Sequence, residues 1–358
     1  MIRFGLIVGL LSIINLAFAQ RFNCAETLNQ AQQQFDDGHL YSIPSVLKPC
    51  LDNGFNKTQK IEAFLILTRT YLLIDDPISA EDSYLKLLAL DPEYRIDREN
   101  DPVDIVYLDE KFTTTPIFIL FGRIGLNASN ASEISNYGVD NTDLTRESYN
   151  AVLGFNIGGG TELNITDNFS FGLELDFSSK AYEYKNTLFE GDLQTLIERQ
   201  TSLEVPVFVK YRTHFNKIQP FVYGGISFQY LLSANAEVSL IDRYITGEGD
   251  VTEFSITGPN ENLNDMRNSF NKNIIGGIGL NYRIGYSYIF VDARYSFGMN
   301  NIVKSDKQYS SRSLLYNYAF VDDFKRINTV SLSFGYIKPL YKPRKIQKGG
   351  NFFKRIFN

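Results

Sequence analysis

Phe169-Ser170-Phe171-Gly172-Leu173-Glu174-Leu175-Asp176-Phe177-Ser178 is the stretch that decides the fold. Side chains alternate across a strand, so Phe169, Phe171, Leu173, Leu175 and Phe177 share one face while Glu174 and Asp176 lie on the other. A soluble sandwich also alternates, with its polar face toward water and its apolar face toward a second sheet. The choice rests on how many such runs the chain holds, how they are spaced, and what precedes them.

Alternating runs recur over about 117–127, 150–163, 169–182, 201–212, 219–232, 273–283, 287–298 and 328–337, which predicts eight strands. The connections 128–150, 183–200, 233–272 and 299–327 are long, and those between them, 164–168, 213–219 and 283–286, are short. An even strand count with every second connection short is the pattern of a barrel in the outer membrane, with tight turns on one side and long loops on the other. A sandwich gives no reason for that rhythm. The apolar phases through Leu203, Ile274, Ile289 and Val330 face outward on this reading, and Tyr211, Tyr282 and Tyr336 form an aromatic girdle at the turn ends. Arg123, Glu174, Asp176, Glu204, Lys210, Arg212, Asp292 and Arg294 fall on the inward phase. Eight strands leave a lumen only wide enough for side chains to fill. These charges are therefore expected to pair as a structural network; an ion path or ligand site is the alternative.

The head of the chain agrees. Arg3, the apolar run Leu6 to Leu16, and Ala17-Phe18-Ala19 before Gln20 read as a secretory signal over residues 1–19. No later stretch approaches the length of a spanning helix, and the mean hydropathy of −0.17 argues against a helical membrane protein. Two cysteines occur, Cys24 and Cys50. In an exported chain an isolated pair is most simply a disulfide, worth roughly 3 kcal/mol for a loop of this size. Two separate buried thiols are the alternative.

Leu203-Glu204-Val205-Pro206-Val207-Phe208-Val209-Lys210-Tyr211-Arg212, followed by Gln219-Pro220-Phe221-Val222-Tyr223-Gly224-Gly225, resembles the PorT-like outer-membrane β-barrel proteins of the Bacteroidota. Asp292-Ala293-Arg294-Tyr295-Ser296-Phe297-Gly298-Met299-Asn300 is similar to that family's penultimate strand. The resemblance covers roughly residues 116–338 and implies an eight-stranded barrel in the outer membrane. The family's founding member works with the type IX secretion machinery.

Residues 24–112 lack the strand alternation and predict helices over 24–35, 42–53, 57–74 and 78–90, with a short one from Asp101-Pro102 through Lys111. The third and fourth resemble a tetratricopeptide repeat. With Tyr71 at the repeat's Tyr position, Phe64, Leu67 and Thr68 take the Trp, Leu and Gly positions, and Ala80, Tyr84, Leu87 and Pro92 the rest. Thr68 in place of Gly is the one departure. Such a pair implies a periplasmic docking module; a helical plug without a partner is the alternative.

Catalytic chemistry has little to work with. His39 and His214 are the only histidines, one in the helical head and one in a short turn, and no phosphate loop, zinc spacing or calcium loop occurs. Gly158-Gly159-Gly160 sits within a strand and suits close packing. Two charge asymmetries stand out. The stretch 233–272 holds seven acids (Glu237, Asp242, Glu248, Asp250, Glu253, Glu261, Asp265) against Arg243, Arg267 and Lys272, and reads as a solvated loop or a bridge to divalent ions among lipid heads. After the last strand come seven bases (Lys338, Lys342, Arg344, Lys345, Lys348, Lys354, Arg355) and no acid, a basic tail suited to an anionic lipid surface or a protein partner; a disordered tail with no partner is the alternative.

The expectation is an α + β chain of two domains: a signal (1–19), a small all-α tetratricopeptide-like periplasmic domain (20–115), an eight-stranded antiparallel transmembrane β-barrel (116–338) and a basic periplasmic tail (339–358). It is expected to be non-enzymatic, without a cofactor, metal or nucleic acid. Its partners are outer-membrane lipid and a periplasmic or outer-membrane protein, with no small-molecule substrate evident. A role in anchoring assembly or secretion partners leads; a small pore with a charged lumen is the alternative.

Overall fold

The computed structural model describes residues 23–99, 101–135, 146–187, 192–213, 215, 217–245, 251–318 and 320–346. The signal at 1–19, His214 and the tail residues Lys348, Lys354 and Arg355 lie outside them. The chain divides into two compact units, Pro116–Leu340 and the segments on either side of it.

The helical unit contains α1 (Cys24–Asp36), a 3-10 turn (Leu40–Ser42), α2 (Ile43–Asp52), α3 (Lys57–Leu73), α4 (Pro77–Leu90) and α5 (Val103–Asp109). Asn56 and Gln59 cap α3 reciprocally at 2.9 and 3.0 Å, and Asp76 accepts from the Ser79 amide at the start of α4. The apolar side chains of α3 serve two clusters. Ala63, Ile66 and Leu67 pack with Cys24, Leu47 and Cys50, while Phe64 and Tyr71 also reach Ala80, Tyr84, Leu87 and Leu108. The sulfurs of Cys24 and Cys50 are bonded, with their Cα atoms 5.6 Å apart. Gly54 passes this bridge at φ +154°, where a Cβ would stand 2.4 Å from the Cys24 sulfur. After α5 the chain forms a two-residue strand, β1 (Phe112–Thr113).

In the second unit the strands are β2 (Phe118–Ser135), β3 (Arg146–Asn164), β4 (Phe169–Thr187), β5 (Leu193–Arg212), β6 (Ile218–Ile245), β7 (Val251–Thr257), β8 (Glu261–Asn262), β9 (Phe270–Ile284), β10 (Ser287–Gly298) and β11 (Phe324–Leu340). Eight of them, in the order β2-β3-β4-β5-β6-β9-β10-β11, pair antiparallel with their chain neighbours, and β11 pairs back onto β2 to close the ring. No helix among the described residues is long and apolar enough to cross a membrane; the strands provide the crossing.

The alternation is inside out. On β4, Phe169, Phe171, Leu173 and Leu175 are exposed while Ser170, Glu174 and Asp176 are buried. The same inversion exposes Val330, Leu332, Phe334 and Tyr336 on β11 and Ile274, Ile278, Leu280 and Tyr282 on β9. Such a surface is unfavourable in water and required in a bilayer, where a closed ring also pairs every backbone group.

The strands run well past their predicted ends. β6 continues to Ile245 rather than 232, which at ~3.3 Å per residue makes it ~90 Å long, far more than a bilayer needs. Much of the expected loops 183–200 and 233–272 is therefore sheet. Beyond Leu232 the inward positions are the small Ala234, Ala236 and Val238, a weak alternation signal. They pack with Leu196, Leu263, Met266, Leu314, Tyr318 and Phe320 into an apolar core contributed partly by β5 and partly by α6 (Arg312–Tyr318). In the stretch read as an acidic loop, Arg243 pairs with Glu253 at 2.8 Å and Glu261 accepts from Ser313 at 2.6 Å; Glu248 and Asp250 lie outside the described residues.

Two further corrections concern the end of the chain. β11 runs to Leu340, with Pro339 opposite Ile119, so the strand does not stop at 337. The tail is also not separate over its first part. After Leu340 the chain forms β12 (Arg344–Lys345), which pairs antiparallel with β1 inside the helical unit. Backbone pairing and an ion pair to Glu81, neither visible in the composition of the tail, hold it there.

Candidate functional site: the filled barrel interior

The inward positions of the barrel form layers. Near the short turns the rings of Phe208, Phe221, Tyr223 and Phe290 cluster with Ile119, Ile275 and Ile337. Glycines make room for them. A Cβ on Gly172 would stand 2.2 Å from the Phe208 ring, and one on Gly279 would stand 2.3 Å from the Phe221 ring. Gly158 and Gly160 likewise lie against β4, where a Cβ would meet Asp176 and the Leu173 carbonyl. Lys210 points into this layer, 4.5 Å from the centre of the Phe221 ring, and pairs with Glu162. Arg212 lies 3.6 Å from the same carboxylate, and Ser170 donates to it at 3.2 Å.

The next layer crosses the lumen. Arg294 Nη2 donates to both oxygens of Glu174 at 2.9 and 2.7 Å, and its Nη1 lies 3.4 Å from Asp176. Its Nε donates to the Tyr223 hydroxyl at 2.8 Å, and that hydroxyl donates to Asp292. Arg123 stands 3.5 Å from both Glu174 and Asp292. Above it Lys180 meets Glu204 at 2.6 Å. Five cations (Arg123, Lys180, Lys210, Arg212, Arg294) thus face five carboxylates (Glu162, Glu174, Asp176, Glu204, Asp292), and the set is neutral. Among the described residues, cavities of about 30 and 10 Å³ lie between these layers. A water needs roughly 10–15 Å³, so the larger has room for about two waters and the smaller for about one.

All eight inward charges named from the sequence line this interior, and they sit in one connected arrangement except Glu204, which pairs with Lys180, and Lys210 and Arg212, which share Glu162. Glu162 and Lys180 were missed. The parity of Glu174, Asp176 and Ser178 reaches Lys180 directly, so extending the run would have found it. A second buried cluster had no sequence signal at all. Arg267 donates to Glu198 at 2.7 and 2.6 Å and also to Asp322, which Lys325 meets at 2.6 Å; all four residues are fully buried. They come from β5, β11 and the segments before β9 and β11, which only the fold brings together.

Outside, Tyr282 and Tyr336 stand opposite Ile289 from the two sides of β10, hence at one level, and the Tyr211 ring lies 4.9 Å from Phe169. In the helical unit Leu67, Thr68, Ala80, Tyr84, Leu87 and Pro92 are buried and Phe64 and Tyr71 partly so. The Thr68 hydroxyl donates to the Phe64 carbonyl at 2.7 Å, and Tyr84 donates to Asp109 at 2.6 Å. Burial, then the Asp109 hydrogen bond, pushes the Tyr84 hydroxyl well above its ordinary range. Arg344 and Lys345 sit in β12, Lys342 is exposed beside it, and His39 precedes the 3-10 turn, remote from the barrel in sequence.

A closed, lipid-facing barrel with a filled lumen is a barrel of the outer-membrane type. The outer membrane protein beta-barrel domain model matches residues 120–304, and the chain belongs to that family; its place is the outer membrane. A search of curated proteins gives no match. Among solved structures, the chain is similar to the outer membrane protein OprG of Pseudomonas aeruginosa (10% identity, TM-score 0.33, covering 65% of this chain and 98% of OprG). It is similar also to Neisserial surface protein A (13%, 0.27, 62% and 97%) and to the outer membrane protease OmpT of Escherichia coli (9%, 0.29, 64% and 98%). At such identity and overlap nothing functional passes from these proteins to this one.

Proposed function

We propose that this protein is a non-enzymatic, non-conducting outer-membrane anchor whose helical unit, on the periplasmic side, contacts protein partners of an assembly or secretion system. The observation that carries the reading is the interior: a charge-balanced ion network spans the lumen between an aromatic layer and an apolar core, leaving cavities with room for only a few waters. A barrel so filled holds position rather than passing solutes, and the remaining candidate for function is the helical unit. Its α3–α4 pair carries the side-chain pattern of a tetratricopeptide repeat, which supports a docking role. The chain enters and leaves the barrel at Phe118 and Leu340, paired with each other at the short-turn end, and short turns of such barrels face the periplasm. The resemblance of 203–225 and 292–300 to PorT-like proteins makes type IX secretion the first pathway to examine.

The test is affinity capture after in-cell crosslinking, with the full chain and with a chain lacking residues 20–115. The reading expects specific partners to be lost with the helical unit. An unchanged partner set contradicts it.

A further inference from the structure

After the barrel, the chain is held by the helical unit. Lys345 and Arg344 stand opposite Phe112 and Thr113, and the Ile346 amide donates to the Lys111 carbonyl at 2.6 Å. Lys345 Nζ lies 2.9 and 2.8 Å from the two oxygens of Glu81, and Arg344 donates to the Thr115 carbonyl at 3.2 Å. The chain is thereby delivered to the C-terminal end of α5 with residues 347–358 still to follow.

α5 has two unlike faces. Ile105 and Leu108 turn inward with Phe112. Val103 and Tyr107, one turn apart, are 67% and 65% exposed, and Asp104 and Glu110 beside them are exposed as well. Between Asp91 and Glu110 the chain holds eight acids and two bases; Asp101 pairs with Arg69, Asp109 accepts from Tyr84, and Glu110 lies 3.3 Å from Arg98 while staying exposed. This is an exposed apolar pair flanked by the carboxylates of Asp104 and Glu110.

We propose that the chain's own C-terminal segment, residues 347–358, docks on this face of α5. Its chemistry is the complement: Lys348, Lys354 and Arg355 with no acid, and Phe352, Phe353, Ile356 and Phe357 as apolar groups. Its reach is sufficient. Twelve residues extend up to ~40 Å, whereas α5 is only ~10 Å long. The clamp at 341–346 makes docking intramolecular, and a short tether raises the effective concentration to about the millimolar range, enough to fill even a weak site. A partner that uses this face must then displace the segment, and must bring basic and aromatic groups of its own. The proposal goes beyond the anchoring role, since the segment docks whether or not the helical unit meets another protein.

Backbone hydrogen exchange, read by mass spectrometry in a zwitterionic detergent, tests this on the full chain and on a chain ending at Ile346. Both retain the clamp, so α5 keeps its packing. The full chain should exchange several-fold more slowly over 103–111. A synthetic peptide of residues 347–358 should restore protection to the shortened chain, and the full chain carrying Asp104→Lys and Glu110→Lys should behave like the shortened one. Equal exchange over 103–111 in the two chains overturns the proposal. So does protection of 347–358 that appears only with phosphatidylglycerol vesicles, which would assign the segment to a membrane surface.

Discussion

Glu174 and Arg294 meet across the full width of the barrel. β4 and β10 lie four strands apart in the ring of eight, yet the guanidinium holds both carboxylate oxygens at 2.9 and 2.7 Å. A bond between opposite walls closes the lumen at its level and ties two strands that share no backbone ladder.

Removing one partner should therefore cost more than an ordinary surface charge. Arg294→Met leaves Asp176 without its ion pair and Glu174 with only Arg123 at 3.5 Å, and breaking a buried pair typically costs about 3–5 kcal/mol. The double variant Arg294→Met with Glu174→Gln should regain part of that loss. Denaturant midpoints of the refolded barrel in detergent check both, and equal stability of all three proteins would remove the network from the account.

The aromatic layer makes a second demand. Gly172→Ala places a methyl against the Phe208 ring, and overpacking of this kind costs about 1–3 kcal/mol. Phe208→Leu in the same chain should relieve it. Gly276→Ala, whose Cβ meets nothing nearer than 4.0 Å, should be silent in the same unfolding experiment.

The clamp responds to acid. The hydrogen bond from Lys345 lowers the Glu81 carboxyl most, partial burial opposes it, and the charges of Lys345 and Lys111 add to the lowering, so the group sits below its ordinary 4.5. A depressed carboxyl contributes stability above its unfolded value and loses it as pH falls through the folded one. Protection of the Thr113 amide, taken relative to its intrinsic exchange at each pH, should therefore fall below pH 4.5 and hardly change above it. Lys345→Met should weaken that dependence, leaving only what Lys111, 3.6 Å from Glu81, supplies.

Closure itself predicts a gel shift. A ring without an open edge resists detergent until heated, so unboiled protein should migrate faster than boiled protein. Identical mobility would contradict the closed ring.

The strand count and the facing of the strands were legible because Phe169 to Phe177 and Val330 to Tyr336 set large apolar groups against small or charged ones. Facing alone placed Arg123, Glu174, Asp292 and Arg294 inside. Strand length was not legible, because beyond Leu232 the alternation is carried by Ala234 and Ala236, which a turn tolerates equally well. Arg267 looked like one base in an acidic loop; its partners Glu198 and Asp322 lie 69 and 55 residues away, and nothing local announces them. The clamp was hidden for a similar reason. Lys345 reads as one more charge in a basic tail, while its place is set by Glu81, 264 residues earlier.

Single-channel recording of the purified full chain in a planar bilayer tests the central claim most directly. A lumen spanned by Arg294 and Glu174 and packed with aromatic rings should give no stable conductance, while the Arg294→Ala and Glu174→Ala double variant should flicker or leak. Steady open-state current from the unaltered protein, shifted by either substitution, would show a conducting lumen and contradict the account of a filled anchor.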